Sequence, residues 1–402
     1  MRTLRFARQG AGFLIAAFSL LSAAQAGELP MPNESVVATQ RDLIDPEYSQ
    51  SRAQMVWCDK DGNLWLANVN RDTGLFQPSD GKGKLIDAEA MATADFKLVT
   101  NGPEWVSTAY GDQIVYTKFV TGQPHTLANA RLGLAWRLSS GAWSLSMLSP
   151  NLARSTPYAS ANAGDPQPTI SYIDPYGNHY WRNLYDASSE TQVPIYQPSY
   201  KFALRLGQGP RVAAFVAPVN GVQQVFIYWL DTNDAEQITF DSGQKDLHSR
   251  PWIWQAPEYD GALVMATVAD DTELRIYRLP PGGSNTDWQL IDSVSTPDHG
   301  VINSPEHFTY NGKSYVFFAA STGSESYPSA IFLTGIDASS PSLQQLTPGL
   351  PDRVRSDPEV FMANDGPYIY YNRGTVPSSD QRTCLACNEG IYRTYTWLSP
   401  AQ

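Results

Sequence analysis

One short phrase recurs along the chain and limits what it can fold into. Asp45-Pro46-Glu47-Tyr48, Gly102-Pro103-Glu104-Trp105, Ala256-Pro257-Glu258-Tyr259, Ser304-Pro305-Glu306-His307 and Asp357-Pro358-Glu359-Val360 each open a unit of the same kind. An apolar run follows, then an acidic or glycine-containing turn, then a second apolar run. Weaker copies start at Pro166 ("DPQPTISYIDPYGNHYWRNL") and Pro210 ("GPRVAAFVAPVNGVQQVFIYWL"). The anchoring prolines 46, 103, 166, 210, 257, 305 and 358 are spaced 57, 63, 44, 47, 48 and 53 residues apart. A period of roughly 50 residues is that of a repeat architecture, in which each unit is one supersecondary element.

The unit is made of strands. Runs such as "QMVWCDKDGNLWLANV", "QIVYTKFV", "ALVMATV", "SYVFFAA" and "YIYYNR" are rich in Val, Ile, Tyr and Phe and are bounded by Gly, Pro, Asn and Asp. That is the pattern of strands and turns, and no helical period competes with it. Aromatics at 12% suit packed sheet faces. The predicted class is all-β. A single sheet of three or four strands cannot bury both faces, but sheets stacked radially bury each other and a closed ring leaves only short edges. Seven anchors predict a seven-bladed β-propeller; merging the weak segments gives six or five blades. The stretch between residues 27 and 45 is the candidate closing strand, and residues 27–402 read as one domain.

The first 26 residues have a different character. Arg2, Arg5 and Arg8 precede an apolar stretch from about Gly12 to Leu21, and Ala24-Gln25-Ala26 forms an A-x-A cleavage site. This is the pattern of a secretory leader, too short to span a bilayer, and no later stretch approaches ~18 uninterrupted apolar residues. Its removal takes away three arginines and no acid, moving the net charge from −12 to −15. So acidic a chain has no electrostatic attraction for nucleic acid or anionic lipid. The leading reading is a periplasmic or secreted monomer that is carbohydrate-active, hydrolysing or binding glycan at the axial mouth; the alternatives are a non-catalytic scaffold that binds a protein partner at the propeller face and a polysaccharide lyase. Of the three cysteines, Cys58, Cys384 and Cys387, export predicts a structural disulfide that pairs Cys384 with either Cys387 or Cys58.

Two resemblances rest on particular stretches. "QVFIYWLDTNDAEQITFDSGQKDLHSRPWIW" resembles the repeat of TolB/WD40-like propellers: a strand, an Asp-containing turn, an outer "QIT" strand and a loop to the next blade. "INSPEHFTYNGKSYVFFAAS" and "RSDPEVFMANDGPYIYYNR" resemble blade openings of the arabinanase and xylosidase type of propeller glycosidase. The second resemblance implies five blades, a catalytic Asp in the first and an acid Glu in a later one. Only Asp45 matches that first role by motif, and the blade count here is larger.

Candidate chemistry follows from position. The innermost strand of each blade lies beside the axis, so residues at its start converge on one mouth. Glu104, Glu258, Glu306 and Glu359 are expected there with Asp357 and Asp165 beside them, as a cation-holding ring or as a carboxylate pair with split pKa values. Glycoside hydrolysis would need two of them ~5–10 Å apart. The competing reading makes Pro-Glu a device for starting blades, with Pro fixing φ and Glu accepting from the next blade's amides. Its repetition favours that reading, and the extra Asp357 with nearby Arg355 is what leaves room for chemistry. Trp105, Trp252 and Trp254 are candidate sugar platforms or inter-blade packing. A polysaccharide-lyase reading would use His125 or His179 as base, helped by Tyr180, Arg182 or Arg205. No zinc spacing, Walker loop, G-x-G-x-x-G or G-x-S-x-G occurs, so no cofactor or metal is predicted. "DKDGN" at Asp59 begins like a calcium loop but lacks its terminal Glu, and reads as a turn.

Overall fold

The computed structural model describes residues 32–77, 83–160, 165–194, 205–207, 211–241, 249–284, 286–298, 300–323, 327–337, 342–376 and 384–398. The predicted leader, His248, His299 and Pro210 lie outside the described residues. The described chain forms seven antiparallel sheets, six of four strands and the first of five. The innermost strands are Ile44–Ser49, Glu104–Val106, Ser155–Ala159, Arg205–Leu206, Ser249–Ala256, Val301–Tyr310 and Val354–Ala363, in blades 1 to 7. Each packs against the innermost strands on either side, and blade 7 packs against blade 1, so the circuit closes. The protein is a seven-bladed β-propeller.

Closure uses the segment expected to supply it. Ser35–Ala38 pairs antiparallel with Asn388–Tyr395, so the last blade contains both the first and the last strand of the described residues. The apolar runs in the sequence are mostly second strands. Gln54–Cys58 is buried at every position, and Lys313–Ser321 at every position but the first. These strands are covered on both faces by neighbouring blades, which explains why they read as continuous apolar runs. Seven apolar clusters lie between successive blades. In one, Trp57 and Phe76 of blade 1 meet Phe361, Tyr370 and Ile391 of blade 7.

The blade start has a sharper rule than Pro-Glu. In five innermost strands one residue sits in the left-handed region and a proline follows it: Asp45 (φ 50°), Thr156 (56°), Arg250 (51°), Ser304 (44°) and Asp357 (56°). Each pair sits in an irregularity of the ladder, where the pairing with the second strand shifts. Proline suits the gap because it has no N–H to pair. Gly102-Pro103 stands in the corresponding place of blade 2. The prolines that mark the axis are therefore 46, 103, 157, 251, 305 and 358, separated by 57, 54, 94, 54 and 53 residues, the 94 covering two blades.

Two expected anchors are corrected by this. Pro166 lies in the connection after the innermost strand of blade 3, and Pro257 opens the 3-10 turn Pro257–Tyr259 that follows the innermost strand of blade 5. Asp165 goes with Pro166: its carbonyl accepts from Ala109 N and its carboxylate from Gln167 N, away from the mouth.

The "DKDGN" stretch is a turn. The Asp59 carboxylate accepts from the amides of Asp61 and Asn63, from Asn63 Nδ2 and from Trp65 Nε1. Asp174 repeats the arrangement in blade 3 with Tyr176, Asn178 and Tyr180. Cys384 is disulfide-bonded to Cys387, while Cys58 is a buried free thiol between blades 1 and 2.

Candidate functional site

The residue after each axial proline lines one shared chamber. In blades 1, 2, 6 and 7 this residue is a glutamate: Glu47, Glu104, Glu306 and Glu359. In blades 3 and 5 it is an aromatic, Tyr158 and Trp252. Asp45 and Asp357, one step before their prolines, add two more carboxylates. Together with Thr100, Asn101 and Ser304 these residues line a cavity of about 110 Å³. Six carboxylates and two aromatic rings thus face one small chamber.

Some of these acids also hold blades together. Asp45 Oδ2 accepts a hydrogen bond from Gly102 N of blade 2. A Cβ at residue 102 would lie 2.5 Å from Asp45 Oδ2 and 2.6 Å from its Cβ, so only glycine fits there. Asn101 Nδ2 donates to Glu104 Oε1 (2.6 Å) and to Pro157 O (2.8 Å), linking blades 2 and 3. Trp252 Nε1 donates to Pro305 O (2.5 Å), linking blades 5 and 6.

Glu359 and Glu47 differ from these. Glu359 is 8% exposed. Burial pushes its carboxyl well above the usual range, and the charges of Glu306, Glu47, Asp357 and Asp45 push it further. Glu47 is raised in the same way, by burial and then by Glu104, Glu306, Asp45 and Asp357. Among the described residues no three acidic, histidine or cysteine groups converge closely enough to hold a metal ion.

The expected site residues separate into those at the mouth and those elsewhere. Glu104, Glu306, Asp357, Glu359 and Trp252 line it. Glu258 does not: it accepts from Ser314 N (2.7 Å) and Ser314 Oγ (2.9 Å) of blade 6, the capping role of the alternative reading. Trp254 is fully buried, donates to Ser314 Oγ and stacks on His307, whose ring faces away from the chamber that Glu306 lines. It offers no face to a sugar. Trp105 is half-buried, donates to Glu47 O and lies 6.5 Å from Trp143.

Arg355 is also absent from the mouth. It is 1% exposed, donates to Glu34 Oε1 (2.8 Å) and Ser329 O (2.5 Å), and belongs to the ring closure. His125 lies against Asp95 (2.7 Å) and stacks on Phe119 in blade 2. His179 is 3% exposed in blade 3, and Arg182 beside it donates to the carbonyls of Leu148, Asn183 and Leu184. Of the residues named for a lyase, His125 belongs to blade 2 and His179, Tyr180 and Arg182 to blade 3, while the Arg205 side chain lies outside the described residues.

Sequence reading missed Glu47 and Tyr158 as site residues. Glu47 could have been found, since it completes the only other Asp-Pro-Glu of the chain. Tyr158 carried no signal, because "STPYA" has neither of the acids that define the phrase.

Similarity to known proteins is structural. No protein-family model and no curated protein matches the chain. The β-propeller domain of Cps50 (Swd1) from Myceliophteria thermophila superposes with a TM-score of 0.52 at 9% identity, covering 90% of this chain and 98% of that one. YCF48 bound to D1 peptide gives 0.49 at 12% identity, over 90% of this chain and 96% of that one. A structure described as TolB from Agrobacterium tumefaciens gives 0.36 at 14% identity, over 63% and 81%. At these identities the likeness concerns the fold alone. Among the described residues no helix is long and apolar enough to cross a membrane.

Proposed function

We propose that the chain is an exported β-propeller scaffold that binds a protein partner on its axial, carboxylate-bearing face and performs no covalent chemistry. The observation that carries this is the size of the mouth. Ligand pockets for small organic substrates usually enclose about 300–1,000 Å³, and this chamber offers about 110 Å³. A sugar ring with its neighbours does not enter it, whereas a single side chain presented from outside does. Export follows from the leader-like first 26 residues and suits the Cys384–Cys387 disulfide.

Glycan hydrolysis is the second reading, and one observation favours it. Glu306, Asp357 and Glu359 share one chamber, and Glu359 is held protonated to higher pH than an ordinary carboxyl, as a general acid must be. Two experiments separate the readings. Residues 27–402 are screened against a polysaccharide panel and a glycan array, with Glu306→Gln and Glu359→Gln as controls. We expect no reducing ends and no retained glycan; hydrolysis abolished by both substitutions would replace the scaffold reading. In parallel, displayed random peptides are selected on the same protein and re-tested on Thr100→Arg, which places a cation at the mouth. Selected peptides should bind the variant at least tenfold more weakly. A selection that yields no binders would sink the scaffold.

A further inference from the structure

We infer that blade 6 carries an anchor pocket on the carboxylate-bearing face, which receives a phenylalanine side chain presented by the protein partner. For the partner the inference rests on the scaffold reading; for the chemistry of the pocket it stands on the residues of blade 6.

The pocket begins as a gap in a ladder. In the second and third strands of blade 6, Lys313–Ser321 and Ser329–Gly335, Phe318 is paired with Phe332 and Ala320 with Ala330. Residues two apart share a face, so a pair of stacked rings, 5.7 Å between centroids, is followed by a pair of methyls. Phe318, Phe332 and Ala320 belong to the apolar layer between blades 5 and 6, and Ala330 packs against it. Where the rings give way to methyls, a cavity of about 260 Å³ opens. Buried Ala320 and Phe332 form its floor, and exposed Asp298, Thr322 and Asp352 its rim. The wall on the blade 5 side is fixed. Thr296 Oγ1 accepts from Gly300 N (2.8 Å), and a Cβ at residue 300 would lie 2.6 Å from Ser321 O, so only glycine lets the loop come this close.

Position and size select the occupant. Residues 296–300 lead into the innermost strand of blade 6, where Ser304 and Glu306 line the axial chamber. Residues 349–352 lead into that of blade 7, where Asp357 and Glu359 line it. The pocket therefore opens on the same face as the mouth. Its volume is below the ~300–1,000 Å³ of pockets that enclose a whole small molecule and far above the ~30 Å³ of one water, which suits one large side chain. A ring laid on Ala320 and Ala330 continues the stack of Phe318 and Phe332. The floor side chains have no polar atom to meet a tyrosine hydroxyl or an indole N–H, so phenylalanine fits best. The rim carboxylates of Asp298 and Asp352 accept from backbone N–H groups of the entering segment. Two large apolar side chains flank the opening: Leu350, after Gly349, is 78% exposed, and Tyr327, before Pro328, is 52% exposed. A small molecule in the pocket leaves both in water, whereas a protein segment covers them, as a docking surface around an anchor requires.

The test uses residues 27–402 with N-acetyl-phenylalaninamide, N-acetyl-tyrosinamide and N-acetyl-alaninamide as probes in ligand-observed NMR and thermal-shift titrations. We expect the phenylalanine probe to bind at least tenfold more tightly than the alanine probe, and more tightly than the tyrosine probe. Ala330→Phe places the chain's own ring in the pocket. Gly349→Trp stands over its opening, and a Cβ there meets only Gln345 Nε2, at 4.0 Å, so this variant keeps the test alive should the first fail to fold. Each should weaken the phenylalanine probe at least tenfold, with circular dichroism checking the fold. Equal binding of the alanine or tyrosine probe, or phenylalanine binding that Gly349→Trp leaves unchanged, would overturn the inference. Peptides selected on this face should carry phenylalanine and bind Gly349→Trp at least tenfold more weakly. Should they weaken on Thr100→Arg but ignore Gly349→Trp, the scaffold would stand and the anchor pocket would fall. A selection without binders, beside the expected probe binding, would remove the partner and leave the pocket to a free phenyl-bearing ligand.

Discussion

Glu359 and Glu34 are both buried glutamates, and their surroundings give them opposite titration behaviour. Burial and four like charges raise Glu359 above its reference value of 4.5. For Glu34 burial also acts upward, but the hydrogen bond and charge of Arg355, then Tyr371 and Arg373, outweigh it and the net shift is downward. A carboxyl raised on folding favours the folded state only while protonated. Its contribution is present below about pH 4.5 and is lost as pH rises through the higher folded pKa. Replacing Glu359 by Gln removes the titration and keeps the shape. Glu359→Gln should therefore melt at a higher temperature than the parent at pH 8, with the gain shrinking toward zero near pH 4. Differential scanning calorimetry across that range checks it; a Gln variant less stable at pH 8 would mean that the charge is compensated. At this scale much of the site was legible, because Glu306, Asp357 and Glu359 could be placed from their motif. Glu258 could not, because Pro-Glu opens a 3-10 turn after the innermost strand of blade 5 but sits in a ladder irregularity inside the innermost strands of blades 1, 6 and 7.

The innermost strand is the element that sets the site, and its device is conformational. A residue in the left-handed region and a proline after it shift the ladder register, and the next side chain lines the shared chamber. Asp, the residue at two of the five positions, tolerates that region; Thr156, β-branched at φ 56°, does not. Its hydroxyl is also buried without a hydrogen-bond partner, although its amide donates to Thr117 Oγ1. Thr156→Gly removes both penalties and increases only the freedom of the unfolded chain. The expected result is a gain of about 1 kcal/mol in urea unfolding; a clear loss would show that the threonine methyl contributes more by packing than its backbone costs. Second strands were legible because their burial on both faces leaves long apolar runs. Innermost strands were harder. "STPYA" and "SRPWIW" carry no Pro-Glu, so Pro257, followed by Glu, and Pro166, preceded by Asp, stand out in their place at nearly the right spacing.

At the scale of the whole molecule, the ring depends on one short strand. Ser35–Ala38 supplies the fourth strand of blade 7, and four residues of pairing are a weak fastening by themselves. Glu34, directly before it, strengthens the closure. Its carboxylate is reached by Arg355 Nε (2.8 Å), Arg373 Nη1 (2.6 Å) and the Tyr371 hydroxyl (2.8 Å), and Arg373 passes the network to Glu389 (2.8 Å) and on to Arg353 (2.9 Å). The closing strand was predictable from the leftover residues before the first blade, but this network was not. Its members are 321 residues apart in sequence for Glu34 and Arg355, and only closure brings them together. Arg355 is 1% exposed, so Glu34→Ala strands a buried guanidinium. Such a loss costs about 3–5 kcal/mol. The cost should be full at pH 7 and remain so down to about pH 4.5, because a carboxyl lowered on folding contributes its stability above its unfolded pKa. It should then fade as pH drops through the lower folded value, where the parent protein loses the same charge. Urea titrations of Glu34→Ala and the parent at pH 7 and pH 3 measure this. A difference that stays constant between the two pH values would locate the role of Glu34 in packing rather than in the ion pairs that close the ring.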